Sequence, residues 1–442
     1  MAIRPRCPLF HLRPFRIMIR RDFLRAGALG AGATLLMGPT ACTMQKQDGA
    51  SAGSPDALPA PIAGLSSRAG EAPPPITQAE HAARRVRAQE LMAEQGMDAV
   101  FYEGGPSLMY TTGLRWGRSE RTFGVLIPRR GDPVIISPSF EAKRAASGGA
   151  DAFEIREWRE HESPFKLIAD ILRERGTATG TIAVDESARY FIPRGIAAAA
   201  PALSVVDASP LTQQLRGRKS ASEIALMRFA NEVTLQAYHA AFETLEPGMT
   251  QSQLSRNISQ AVSRLGFSGG AMALFGESSA YPHGLDVPNP LEEGQVVLVD
   301  GGINVHGYQS DISRTVVLGK ASDEVKKVFE VVHQAQAAAL AVTEPGRPCG
   351  DVDAAARKVV TDAGFGPEDT LFTHRLGHGI GMEGHEWPYL VSGSQVVLQS
   401  GMSFSNEPGI YQYGKFGVRL EDIMVVTENG AELLTPQADL LA

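Results

Sequence analysis

One repeat constrains this chain more than any other feature. Residues 291–318 read L-E-E-G-Q-V-V-L-V-D, ten residues of turn material, then D-I-S-R-T-V-V-L. Residues 398–426 read L-Q-S-G-M-S-F-S-N-E, a longer gap, then E-D-I-M-V-V. In both, Leu stands three residues before Gly and Gly six before an acid: Leu291, Gly294, Asp300 and Leu398, Gly401, Glu407. A second acid opens each return strand, Asp311 and Glu421. Upstream, helical stretches 223–245 and 324–342 lead to Pro247-Gly248 and Pro345-Gly346. A second helix then ends at Gly266 and Gly364, nineteen residues past the proline in each half. Two copies of helix–helix–hairpin predict a pseudo-two-fold domain whose acids converge between the halves. Acids at the ends of apolar β-runs are costly unless something positive compensates them. Four carboxylates from two similar hairpins therefore suggest a dication cluster.

The rest of the chain is read around that domain. Its 442 residues are enough for two domains plus extras. A net charge of −7 argues against nucleic acid as a partner. Three cysteines (Cys7, Cys42, Cys349) are too few for a disulfide framework and none has zinc-finger spacing, so a metal here needs oxygen and imidazole ligands. In residues 1–42, Arg20-Arg21-Asp22-Phe23-Leu24 precedes an apolar run, 26–37, too short to span a bilayer. This resembles a twin-arginine export signal and implies a periplasmic destination. Met18 is an alternative start. Cys42, after Pro39-Thr40-Ala41, loosely resembles a lipoprotein cleavage box and would be the one membrane anchor; the alternative is a soluble protein cut nearby.

Residues 43–76, rich in Ala, Gly, Ser and Pro, read as a flexible tether. Residues 77–215 form a small α/β domain. Thr77-x-x-Glu80 is a capping box opening a helix to Gly96, and the apolar segments 99–102, 124–127, 134–137, 181–184 and 203–206 alternate with helices such as 164–175. Trp116, Arg118 and Arg121 in its 113–122 loop face either substrate or plain solvent. A basic, polar joint, 216–222, opens the repeat domain, 216–442.

Between the hairpins lies the run from His374 to Pro388, H-R-L-G-H-G-I-G-M-E-G-H-E-W-P. Its glycines let the His378 imidazole approach a crowded site. Asp300, Asp311, His378, Glu407 and Glu421 make a set of four oxygen ligands and one nitrogen. So hard a set suits two divalent ions with bridging carboxylates, Mn²⁺ before Co²⁺ or Zn²⁺. Ions in such sites lie roughly 3.5–4 Å apart and lower the pKa of water from about 15.7 towards about 7.

Asp300 with Asp311, GHGIG around His378, HEWP at His385, NEPGIY around Glu407 and GVRLEDIMVVTENG around Glu421 resemble the pita-bread metallopeptidases, and within them the Xaa-Pro branch of prolidase and aminopeptidase P. SAYPH, with His283 seventeen residues before Asp300, fits as well. The resemblance implies an α+β fold, with a pita-bread catalytic domain preceded by a smaller creatinase-type α/β domain. It implies that Asp300 binds one ion, His378 the other, and that Asp311 and Glu421 bridge them. Glu407 is implied as a ligand that takes a proton from the bridging water, His283 and His385 as substrate and oxyanion binders, and Arg419 as the group that orients the site. Small proline-containing peptides are the implied partners, and a homodimer the implied assembly. His374, His239 and His333 read as structural. Phe275, Tyr281 and Trp387 wall a proline pocket or belong to the core. Two rival functions remain: a metal-free binding module on the same fold, and creatinase-like hydrolysis of a small amidine.

Overall fold

The computed structural model describes residues 58–441 apart from 286, 288 and 368. The export signal, Cys42 and the first part of the expected tether lie outside those residues. The rest of that tether differs from expectation. Helix α1, Ala60–Ala63, buries Ile62 completely. Arg264 Nη2 donates to the Leu65 carbonyl at 2.9 Å and Arg68 N to the Leu265 carbonyl at 2.9 Å. Leu58, Ile62 and Leu65, spaced four and three apart, give this segment an apolar face that packs on the core. Its Ala, Gly and Pro content hid that face.

Helix α2, Gln78–Gln95, begins at the Thr77/Glu80 capping box and stops at left-handed Gly96. Strand β1, Ala99–Glu103, and helix α3, Pro106–Thr112, follow. Next come β2 (Gly124–Pro128), β3 (Val134–Pro138), α4 (Ser139–Ser147) and β4 (Glu154–Trp158). Then α5 (Pro164–Glu174), β5 (Gly180–Val184), α6 (Phe191–Ala199), β6 (Leu203–Asp207) and α7 (Ser209–Arg216) complete the region. The six strands form one sheet in the order β4-β3-β2-β1-β5-β6, parallel except at β1–β2 and β2–β3. Strand β1 is buried along its whole length, as a central strand covered on both faces must be.

The repeat is visible in the fold. In the first half, α8 (Ala221–Phe242) and α9 (Gln251–Arg264) precede β7 (Gly269–Phe275), β8 (Val296–Val305), β9 (Tyr308–Gln309) and β10 (Ile312–Val317). In the second, α10 (Asp323–Val342) and α11 (Cys349–Val360) precede β11 (Gly377–Gly379), β12 (Glu386–Leu390) and β13 (Ser403–Asn406). The chain ends on β14 (Gly409–Gln412), β15 (Phe416–Arg419), β16 (Asp422–Val426) and β17 (Ala431–Leu433). The first sheet runs β10-β8-β7 and the second β12-β11-β13-β16-β17.

The same backbone bonds recur in both halves. Gly248 N donates to the Leu291 carbonyl at 2.7 Å, and Gly346 N to the Leu398 carbonyl at 2.9 Å. Gly294 N donates to the Leu318 carbonyl at 2.7 Å, and Gly401 N to the Val426 carbonyl at 2.8 Å. Gly294 and Gly401 have φ of 82° and 89°, a left-handed conformation open to glycine at little cost. That requirement is what the Leu-x-x-Gly spacing encodes.

Candidate metal centre

Each half delivers two acids to one place. Asp300 lies within β8, in register with Ser313 of β10, and Asp311 immediately precedes β10. Glu407 follows the last residue of β13, and Glu421 precedes the first of β16. His378 is the middle residue of β11, bracketed by glycines because there is no room for side chains. A Cβ on Gly377 would stand 1.9 Å from the Ser405 carbonyl oxygen, and one on Gly379 would stand 2.6 Å from that of Trp387.

The five expected ligands converge, with His283, His385 and Arg419, on a cavity of about 150 Å³. Candidate ligand atoms of Asp300, Asp311 and Glu421 lie within 4.8 Å of one another, as do those of His378, Glu407 and Glu421. The His378 Nδ1 sits 3.1 Å from the Gly379 carbonyl oxygen, which can only accept, so Nδ1 carries the hydrogen. Nε2 is left facing Glu407 Oε1 at 3.2 Å and Asp311 Oδ2 at 3.9 Å. A lone pair aimed at carboxylates needs a proton or a cation between them.

The electrostatics point the same way. Burial and the charge of Asp300 push Asp311 up to about 7. Burial together with Asp311, Glu407 and Asp300 raises Glu421 well above the carboxylate range. Burial works against the charge on Glu407 too, yet the hydrogen bond from His378 and the charges of His374, His378 and Arg419 hold it down at about 2. Burial also lowers His378, but Glu407 and Asp311 more than restore it and leave it raised. A carboxylate cluster that must take up protons to be tolerated is one that divalent cations fit. The donor set, four carboxylates and one imidazole, suits hard ions.

Around this cluster stand two arginines and a histidine. Arg419 is buried; its Nη2 meets Asp300 Oδ2 at 2.7 Å, and its Nε donates to Ser313 Oγ at 2.9 Å. Its Nη1 donates to the Tyr411 hydroxyl at 3.0 Å and the Pro282 carbonyl at 3.1 Å. The His385 ring is stacked on that of His378 at 3.8 Å between centroids. Partial burial and the His378 charge hold His385 below its usual value. The cation Arg375 also lines the cavity.

Several contributors escaped the sequence reading. Ser313 Oγ lies 2.9 Å from Asp300 Oδ1 and 2.7 Å from Glu421 Oε2, tying the two halves together. It stands two residues after Asp311, and that strand alternation was an available signal. His374, expected to be structural, lines the cavity; its Nδ1 is 3.9 Å from Glu407 Oε2 and its Nε2 is 2.6 Å from the Tyr411 hydroxyl. The joint at 216–222 is not a solvated linker. Arg216 and Lys219 are buried and pair with Glu386, next to His385. Glu386 also accepts from Met382 N at 2.8 Å and Glu383 N at 2.9 Å, which fixes the loop carrying His385.

Where the sequence left two alternatives open, the fold decides between them. Arg118 bonds the Gly104 carbonyl, Arg121 pairs with Glu160, and Trp116 stacks on Phe123, so all three side chains are engaged within their own region. Phe275 is wholly buried in the core, and Tyr281 packs on Tyr413. Trp387 lines a second cavity of about 310 Å³ between α7 and the 383–389 segment, and His385 lines both cavities.

Residues 225–428 match metallopeptidase family M24, and residues 84–217 match the creatinase/prolidase N-terminal domain. An Xaa-Pro dipeptidase of Lactobacillus delbrueckii subsp. lactis is 33% identical over 356 residues, which is 78% of this chain and 95% of that relative. Among solved structures, dipeptidase PepE from Mycobacterium ulcerans aligns with a TM-score of 0.77 at 33% identity, covering 83% of this chain and 99% of that one. A prolidase from Thermococcus sibiricus aligns with a TM-score of 0.75 at 29% identity, with coverage of 83% and 99%.

Proposed function

The chain belongs to metallopeptidase family M24, and from that premise we propose that it hydrolyses Xaa-Pro peptide bonds with a pair of divalent cations held by Asp300, Asp311, His378, Glu407 and Glu421. The observation that carries this reading is the convergence of those five side chains, from two repeated hairpins and the strand between them, on one cavity. Names borne by relatives, Xaa-Pro dipeptidase and prolidase, support the proline assignment. When bound, the cations would acidify a shared water from about 15.7 towards about 7 and polarise the scissile carbonyl.

The chain's own groups do the rest. Glu407, kept ionised by its neighbours, accepts a proton from the attacking water and returns it to the departing proline nitrogen. The carbon–nitrogen bond breaks as that proton arrives, leaving a free carboxylate and a secondary amine. His385 and His283 stand at the cavity wall to donate to the carbonyl oxygen as negative charge develops on it. Arg419 neutralises Asp300 and holds Ser313 and Tyr411 in place. An Xaa-Pro bond has no N–H, so enzymes that grip substrate as a β-strand lose a donor there. A compact cavity that takes the ring and the free amine avoids that loss.

The test reconstitutes metal-stripped protein with Mn²⁺, Co²⁺ or Zn²⁺ and offers Ala-Pro, Ala-Pro-Ala and proline-free Ala-Ala. Metal-dependent turnover concentrated on the proline substrates is expected. Equal turnover of Ala-Ala would refute the proline assignment, and turnover without metal would refute the cation pair.

A further inference from the structure

Beside the metal site lies the cavity of about 310 Å³ between α7 and the 383–389 segment, and His385 lines both. Four ionisable side chains of the carboxylate and guanidinium kinds line the larger one: Glu186, Arg216, Glu383 and Glu386. Arg216 ties three of them together, pairing with Glu383 at 2.7 Å and with Glu386, which Lys219 also meets at 3.2 Å. The fourth, Glu186, is exposed at the cavity, accepts from Thr212 Oγ1 at 3.1 Å, and has no ion pair among the described residues. We propose that this cavity receives the side chain of the residue before the scissile bond and selects a basic one, lysine or arginine, with Glu186 as its counter-charge. This rests on the Xaa-Pro reading above.

The two cavities meet at one imidazole. His385 is placed to donate to the oxygen of the scissile carbonyl, and its ring stacks on that of His378 at 3.8 Å. That carbonyl belongs to the residue before the proline, whose side chain springs from the adjoining carbon. A substrate seated with this oxygen at His385 therefore starts its side chain beside the shared wall, and the larger cavity is the space that opens across it. Trp387 and Tyr389 give that space an aromatic side. A Cβ on Gly217 would stand 3.1 Å from the Trp387 ring, so the ring is packed against the end of α7. Aromatic faces cover the alkyl stem of lysine or arginine and attract its charged head.

Charge favours the same occupant. Behind Glu186, Asp185 is buried, spends Oδ1 on Ser187 N at 2.8 Å and leaves Oδ2 without a hydrogen-bond partner. Arg118 reaches this turn through Ser187 Oγ, but both it and Arg189 pair with Glu103. Arg375, over the Tyr389 ring, lines the metal-site cavity among its four acids. The Glu186 end of the larger cavity thus holds negative charge that no neighbouring cation answers, and a cleft focuses such a field on what enters it. A neutral side chain fills the space without answering that charge, and an acidic one is repelled by it.

The experiment compares kcat/KM of the metal-reconstituted wild type, Glu186→Gln and Glu186→Lys on Arg-Pro, Lys-Pro, Glu-Pro and norleucyl-proline, the last an uncharged analogue of Lys-Pro. Binding of argininamide and norleucinamide to the metal-loaded protein, by calorimetry, provides a readout independent of turnover. We expect the wild type to prefer Arg-Pro and Lys-Pro over norleucyl-proline by about 5- to 30-fold, mainly through KM. Glu186→Gln should bring that ratio close to one while leaving norleucyl-proline unchanged, and Glu186→Lys should favour Glu-Pro instead. Argininamide binding should weaken in Glu186→Gln and norleucinamide binding should not. A wild-type ratio near one would overturn the proposal, as would a ratio that survives Glu186→Gln or equal losses on basic and neutral substrates. If Arg-Ala is cut as fast as Arg-Pro, the proline reading fails alone, and the ratio is then read on Arg-Ala and norleucyl-alanine. With no peptide turnover at all, the two amides decide.

Discussion

Glu407 is asked to bind a cation and to move a proton, and its neighbours make both possible. Ser405 Oγ donates to its Oε1 at 3.0 Å, His378 Nε2 faces the same oxygen at 3.2 Å and His374 Nδ1 lies 3.9 Å from Oε2, so its carboxylate is oriented as well as ionised. Replacing it by Gln keeps the shape and an oxygen but removes the proton acceptor. Glu407→Gln should therefore lose about 10²- to 10⁴-fold in kcat, measured under saturating metal. Retention of full activity would remove the general-base role. At this scale the acids were legible because a carboxylate at the end of an apolar strand has no cheap explanation. Ser313 and Tyr411 were not, because a hydroxyl beside a strand has many. Their importance comes from partners distant in sequence, Glu421 for Ser313 and His374 for Tyr411, which only folding brings near.

The hairpins show why spacing was a stronger signal than identity. Gly294 and Gly401 occupy the same left-handed turn in each half, and a Cβ on Gly294 would meet nothing closer than 3.8 Å. Gly294→Ala should thus cost about 1–2 kcal/mol in thermal or denaturant unfolding through backbone strain alone, without loss of metal. The loop carrying His385 makes a different prediction. Burial disfavours the Glu386 carboxylate, but Lys219, Arg216 and the Glu383 N–H hold it down at about 2, against an ordinary 4.5. A carboxylate depressed by folding contributes stability above its unfolded pKa and loses that contribution as pH falls towards its folded one. Acid unfolding should therefore draw on Glu386 between pH 4.5 and about 2. In Glu386→Gln the stability difference from wild type, followed by urea titration, should shrink across that window; a constant difference would contradict the account. In the sequence the partners of Glu386 read only as part of a basic, polar joint, since nothing local says that Arg216 and Lys219 turn inward.

Across the whole molecule, some features are written plainly in the sequence and others are not. The order α/β region then repeat domain could be read from periodicity, because each part carries its own turns and caps. The packing of residues 58–76 could not, since a single apolar face of three residues is lost in Ala- and Pro-rich surroundings. Ile62→Ala should cost about 2–5 kcal/mol in unfolding measurements if that segment belongs to the core, and close to nothing if it is a tether. The twin-arginine reading of residues 19–25 stands as a proposal: Arg20→Lys with Arg21→Lys should retain the protein in the cytoplasmic fraction. The account as a whole depends on the paired half-domains closing around cations. The most direct test is elemental analysis of the purified, metal-saturated protein beside Asp311→Asn and His378→Ala. Two divalent ions per folded chain in the wild type, and fewer in both variants, are predicted. A wild type that binds none, or variants that keep the full complement, would contradict it.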